Sequence, residues 1–208
     1  VWSVIVWWWY CPPVVEAQYE LTKDVGMREE LDAKLVADYP ELYRDRNAPM
    51  NQTAMCWGFD CGDGWYQLID ALSFTLTADH RRAKDSLEYY RNNFGKELWK
   101  GKIVTQEDID KAQKELDENP CPVAVQVKEK FGGLRFYVDR ATEKQYNYIN
   151  FTEMLSYRTC EECGAPGRTY TMGWHRTLCE KHADEHYGEE AAHYRNKTAD
   201  WADEEEKT

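Results

Sequence analysis

Cys160-Glu161-Glu162-Cys163 and Cys179-Glu180-Lys181-His182 place four metal-ligating side chains in two pairs, with two residues inside each pair and fifteen between the pairs. That C-x2-C-x15-C-x2-H pattern constrains the fold more than any other feature. Two thiolates three positions apart reach one ion only if the backbone between them turns tightly, and Gly164 permits the turn. Cys179 and His182, at i and i+3 of a helix start, point the same way. The spacing predicts one structural zinc per chain on Cys160, Cys163, Cys179 and His182, since four protein ligands leave no open position for substrate or water. His186, one helical turn beyond His182, is the rival for the fourth place.

Between the two pairs, Arg168–Met172 and Trp174–Leu178 read as short strands about Gly173. Knuckle, hairpin and ligand-bearing helix in that order resemble the treble-clef arrangement of zinc fingers. Neither an HExxH nor a deaminase-type HxE motif accompanies the ligands, so a catalytic zinc is not indicated.

Upstream, apolar Leu31, Leu35 and Val36 predict a short helix over Met27–Asp38, stopped by Pro40. Trp65, Leu68, Ile69, Leu72 and Leu76 make one apolar stripe, with Asp63 expected as its N-cap. A second amphipathic stretch carries Leu87, Tyr90, Phe94 and Leu98, and a third runs from Thr105 to Glu118 behind a Thr-x-x-Asp capping signal. Val123, Val125 and Val127, then Leu134, Phe136 and Val138, alternate with other residues around Phe131-Gly132-Gly133, which predicts a β-hairpin. Thr142 starts a helix whose Tyr148, Phe151 and Leu155 share a face. The fold class expected is α+β: helices on a small antiparallel sheet with a C-terminal treble-clef-like zinc module. The expected units are a leader or non-native extension over 1–26, a core over 27–158, the zinc module over 159–190 and an acidic tail over 191–208. The leader reading rests on the apolar run Trp7-Trp8-Trp9-Tyr10, too short to span a bilayer, and on Met27 as a natural start.

Charge narrows the function classes. The chain carries −12 and a mean hydropathy of −0.81, which opposes general affinity for nucleic acid. Its distribution is uneven, from −6 over Ala183–Thr208 to +4 over His80–Lys102. Arg81, Arg82 and Lys84 on that basic stretch allow a phosphate-binding face or a solvated helix face. Lys128, Lys130, Phe131 and Arg135 at the hairpin tip suit recognition of a partner or a base, if Phe131 is exposed rather than folded inward. Seven cysteines, three at ligand spacing and with no secretory signal, fit a reducing cytoplasm better than a disulfide framework. No nucleophile–base arrangement is legible. Asp63 in Cys61-Gly62-Asp63-Gly64-Trp65 is the one carboxylate that could centre a metal-dependent hydrolase or nuclease.

Three segments together, the CGDGW run, Val127–Val138 (VKEKFGGLRFYV) and the Cys/His module, resemble a group of uncharacterised small proteins of bacteriophages and prophages. The similarity covers roughly Cys56 to His182. It implies a viral origin and a host-cytoplasm location but no mechanism. The function expected is a non-enzymatic, zinc-stabilised module binding a host or phage protein, ahead of a nucleic-acid-binding accessory factor and of the Asp63 hydrolase. No membrane role is expected.

Overall fold

The computed structural model describes residues 26–194; the Trp-rich N-terminal run and the acidic stretch from Arg195 onward lie outside the described residues. The chain is α+β, as the patterns predict. It begins with α1 (Glu29–Asp38), which starts two residues later than expected. A short strand β1 (Phe59–Asp60) and a 3-10 turn (Asp63–Trp65) lead into α2 (Tyr66–Asn92). Then come α3 (Gln106–Glu118), β2 (Val123–Lys130), β3 (Gly133–Asp139) and α4 (Glu143–Ser156). The C-terminal part holds β4 (Arg168–Met172), β5 (Trp174–Leu178), α5 (Glu180–Tyr187) and α6 (Ala191–Tyr194).

The first sheet has the order β1-β2-β3 and is mixed rather than purely antiparallel, because β1 adds parallel to β2. The hairpin is present with Lys130 opposite Gly133, so Phe131-Gly132 form a two-residue turn. Both have positive φ (57° and 79°), the type I′ geometry that matches strand twist. Strict alternation fails in β2: the register shifts between Ala124 and Gln126, and Val125 is a bulge. Ala124 and Val127 therefore enter the core together while Val125 is only half-buried.

The stripe on α2 packs as predicted, with Trp65, Ile69, Leu72 and Leu76 buried against Tyr43, Phe59 and Phe136. The second amphipathic stretch is not a separate helix. No glycine or proline interrupts the chain between Leu76 and Leu87, so α2 runs on for 27 residues. It stops before Gly95 (φ 73°), which leaves Phe94 beyond its end and exposed.

The largest departure is α4. Tyr148, Phe151 and Leu155 do share a face, but it is the exposed one; Gln145, Ile149, Thr152 and Ser156 face inward. The reason is the sheet edge. β3 is an edge strand whose outward N–H groups need partners. Ser156 Oγ accepts from the Leu134 N–H (2.8 Å) and Glu153 Oε1 from the Phe136 N–H (2.9 Å). Gln145 Nε2 donates to the Leu76 carbonyl at 2.8 Å. A helix that seals a strand edge needs polar side chains on its inner face, which inverts the usual reading of amphipathicity. Among the described residues no helix is long and apolar enough to cross a membrane.

Candidate metal centre and the surface it supports

The chain turns at Gly164 (φ 76°), and the Gly164 N–H donates to the Cys160 carbonyl at 2.9 Å, which closes the knuckle and brings Cys160 and Cys163 together. β4 and β5 carry the chain out and back, and Cys179 then caps α5 so that His182 falls one turn inside it. The four ligand atoms converge within 4.8 Å of one another. Cys163 and Cys179 sulfurs lie 3.8 Å apart, and His182 Nδ1 lies 3.3 Å from Cys160 Sγ and 3.4 Å from Cys179 Sγ. A tetrahedral ion with ordinary Zn–S and Zn–N bonds needs edges of about 3.8 Å between sulfurs and about 3.6 Å from sulfur to nitrogen. The donor set and its spacing fit such an ion, and the cluster could hold one metal.

Burial and hydrogen bonding act differently on the sulfurs. Burial pushes the Cys160 thiol up to about 11, a cost that a divalent cation among the sulfurs reverses. At Cys179 desolvation acts upward but is outweighed by the His182 backbone N–H and the neighbouring thiols, so its pKa is lowered. His186 is not in the cluster. Its Nε2 lies 2.6 Å from Glu162 Oε1, and Arg176 donates to the same oxygen at 3.2 Å. The other Glu162 oxygen faces His182 Nε2 at 3.8 Å. Glu162 thus stands behind the imidazole ligand, on the side where such ligands are oriented by a carboxylate.

Asp63 does not cap α2; Gly62 and Trp65 hold the N-cap positions of the 3-10 turn and of α2, and neither supplies a side-chain cap. Its carboxylate instead accepts from the Arg28 backbone N–H (2.9 Å) and pairs with the Arg28 guanidinium, pinning the start of α1. Among the described residues it joins no group of three or more potential metal ligands.

The glycines beside Asp63 have a different task. The Gly62 N–H donates to Glu161 Oε1 (3.1 Å), the Gly64 N–H to the Glu161 carbonyl (2.7 Å), and Trp65 Nε1 to the Thr159 carbonyl (2.8 Å). A Cβ on Gly64 would stand 2.2 Å from the Cys160 carbonyl oxygen and 2.6 Å from the Cys163 nitrogen. The CGDGW run is therefore the seat of the knuckle, and only glycine lets the two backbones approach so closely. Glu161 sits buried in that seam, where desolvation lifts its carboxyl to about 7 against the pull of the Gly62 N–H.

The second glycine motif serves the same joint. Gly133 lies under Tyr157, where a Cβ would be 2.3 Å from the ring. Thr177 Oγ1 of β5 donates to the Gly132 carbonyl at 2.6 Å and meets Thr169 Oγ1 at 3.1 Å. Glu129 clasps both hairpin turns: Oε1 accepts from the Gly132 N–H (2.6 Å) and Oε2 from Trp174 Nε1 (3.0 Å). At this joint Phe131 and Trp174 stand out from the surface, 64% and 69% exposed. His175 sits beside Phe131 with ring centroids 6.1 Å apart. Phe131 adopts left-handed backbone, which costs a non-glycine residue roughly 1–2 kcal/mol.

The candidate surface residues divide. Lys128, Lys130 and Phe131 gather at the tip, with Lys130 Nζ 5.3 Å from the Phe131 centroid and Lys128 Nζ 5.9 Å from that of Tyr137. Arg135 is half-buried and engaged internally, donating to the Leu134 carbonyl (2.7 Å) and Tyr157 Oη (2.6 Å). The helix group is distant in role: Arg82 pairs with Asp79, Lys84 with Glu41, and Arg81 stacks 4.4 Å over Phe74. Sequence reasoning missed Glu129, Glu161, Glu162 and Trp174. The two acids inside the knuckle and a tryptophan directly after a turn glycine were the available signals. Comparison with protein-family models, with curated proteins and with solved structures gives no match.

Proposed function

We propose that the chain is a zinc-stabilised, non-enzymatic module that binds a macromolecule through the joined hairpin tips. The observation that carries this reading is the use of the glycine motifs. Both are spent on seating the Cys/His module against the core, and the product of that seating is a hydrogen-bonded surface with Phe131 and Trp174 exposed. Aromatic anchors held by hydrogen-bonded neighbours are what binding sites use to keep the entropy of association low. Three thiolates and an imidazole at tetrahedral spacing favour zinc among the common cations, in a closed site of the treble-clef kind. The reactive side chains elsewhere support binding over catalysis: Asp63 is tied to Arg28, and burial drives the Cys61 and Cys121 thiols upward, away from nucleophilic character. The resemblance in the CGDGW and KFGG segments supports reading it as a phage or prophage product acting in the host cytoplasm. Metal analysis should find about one zinc per chain. Affinity capture from infected host cells should recover a partner with the zinc-loaded chain and lose it when Phe131 and Trp174 are both replaced. Capture unaffected by that pair of changes would refute the assignment of the surface.

A further inference from the structure

We infer that the joined hairpin tips recognise single-stranded nucleic acid, with bases stacking on Phe131 and Trp174 and phosphates meeting Lys128 and Lys130. The inference rests on the binding-module reading and names its partner. Its first support is the turn itself. A type I′ turn favours asparagine, aspartate or glycine at its first central position, yet Phe131 stands there at φ 57° with its ring turned out to solvent. The ring fills no part of the core, so the fold gains little from the unfavourable backbone that carries it.

The second support is preorganisation. Trp174 spends its only donor on Glu129, and the Gly132 N–H takes the other oxygen of the same carboxylate. The two platforms are one carboxylate apart, and their spacing is fixed by the hydrogen bonds that also join the metal module to the core. Each ring keeps the flat, sequence-tolerant surface on which a base stacks.

The third support is charge. Glu129, the acid between the two turns, already accepts from two donors; Asp60 stands opposite Lys128 in the sheet, but among the described residues Lys128 and Lys130 form no ion pair with a carboxylate. On α2, by contrast, Arg82 and Lys84 are neutralised by Asp79 and Glu41. Lys130 thus sets an unpaired positive charge against the Phe131 ring, with Lys128 two residues behind it over Tyr137, which suits a partner with both π-faces and anionic groups. A duplex hides its base faces and fits poorly. An acidic protein segment is the competing partner, and the experiment separates the two.

The test uses the zinc-loaded full chain and end-labelled oligothymidylate and oligouridylate of about twelve nucleotides, within the usual span of one stacking site. Binding is followed by anisotropy. Saturable binding to one or both strands is expected, weaker for a duplex of equal length. With two phosphates neutralised, the logarithm of affinity should fall against that of salt with slope about −1.4, or roughly sevenfold between about 50 and 200 mM. Phe131→Asn, which suits the left-handed turn, and Trp174→Ala should each cost about tenfold in affinity, the scale of one lost base–aromatic stack. Melting curves check that both variants remain folded. The triple change Arg81→Ala, Arg82→Ala, Lys84→Ala should leave affinity unchanged. Absence of saturable binding overturns the inference, as does binding indifferent to Phe131 and Trp174 or lost with the α2 triple change. A captured protein that depends on the two rings, with no oligonucleotide binding, would sink the nucleic-acid partner and leave the binding-module reading standing.

Discussion

Replacing Gly64 with alanine adds one methyl group where the core and the knuckle run backbone to backbone. The new carbon would lie 2.2 Å from the Cys160 carbonyl oxygen, 2.5 Å from the Gly164 nitrogen and 2.6 Å from the Cys163 nitrogen. These are main-chain atoms of the knuckle, so no flexible side chain can move aside. Forcing an extra methyl into a packed site costs about 1–3 kcal/mol. Separating the strands also strains the 2.7 Å bond from the Gly64 N–H to the Glu161 carbonyl, worth about 0.5–1.5 kcal/mol. The sum, about 2–4 kcal/mol, is a large part of a stability that for most domains is about 5–15 kcal/mol. For a chain of this size it corresponds to a fall of about 5–15 °C in melting temperature. Because the atoms displaced belong to the ligand-bearing turn, transfer of zinc to a chelator should also quicken by about tenfold, as when a supporting contact of a metal site is lost. Gly173→Ala is the control: its φ is 67° but nothing lies within 4 Å of the added carbon. It should cost only about 1–2 kcal/mol of backbone strain and leave zinc transfer unchanged. If Gly64→Ala melts with the parent protein and holds zinc equally well, the knuckle is not seated on the CGDGW run.

Cys160→Ser and Cys179→Ser should each release zinc and unfold the C-terminal module, since structural zinc contributes on the order of 10 kcal/mol to such folds; His186→Ala should retain the full complement, and metal analysis of the three decides. Phe131→Asn should melt at or above the parent temperature, because it relieves left-handed strain and removes no core contact. A clear drop in its melting curve would show that the ring is structural. The Asp108 carboxyl, held by Lys102 and the Thr105 N–H, is lowered to about 2. A depressed carboxylate stabilises the fold above its unfolded value and loses that contribution as pH falls through the folded one, so a carboxyl-carbon titration should show its midpoint near 2, and a midpoint near 4 would dissolve the proposed cap of α3.

Much of this was legible because it is local. The ligand spacing, the Thr105 capping box, the helix start at Thr142 and the hairpin about Phe131-Gly132 are each written in a few adjacent residues, and all are present. The failures occur where distant segments meet. Asp63 reads as a cap only while Arg28 is out of view, although the two are 35 residues apart in the chain. Tyr148, Phe151 and Leu155 share a face as read, but nothing local reveals that it is the outer one, since Ser156 and Glu153 are needed at the β3 edge. The task of the CGDGW glycines is invisible until the knuckle, almost a hundred residues later, is laid against them.

Those long-range contacts also decide how the Cys/His cluster relates to the surface. The C-terminal part has a small buried cluster of its own, Cys160, Tyr170, Leu178, Ala183 and Ala191, separate from the main core. Such a cluster removes too little apolar area from water to offset the entropy of ordering the module. Its order must come from the ligand cluster and from the seam: Glu161 against Gly62 and Gly64, Trp65 against Thr159, Thr177 against Gly132. The same seam fixes the Phe131 turn from the far side, because the Gly132 carbonyl is held by Thr177 and the Glu129 carboxylate by Trp174. With a metal bound, its removal would loosen β5 and with it the hold on the Gly132 carbonyl, while the cluster built on Trp65, Ile69 and Val127 would keep its own contacts. The ligand cluster and the exposed rings lie at opposite ends of one chain of hydrogen bonds, so the geometry of the surface would depend on a bound ion that it never touches.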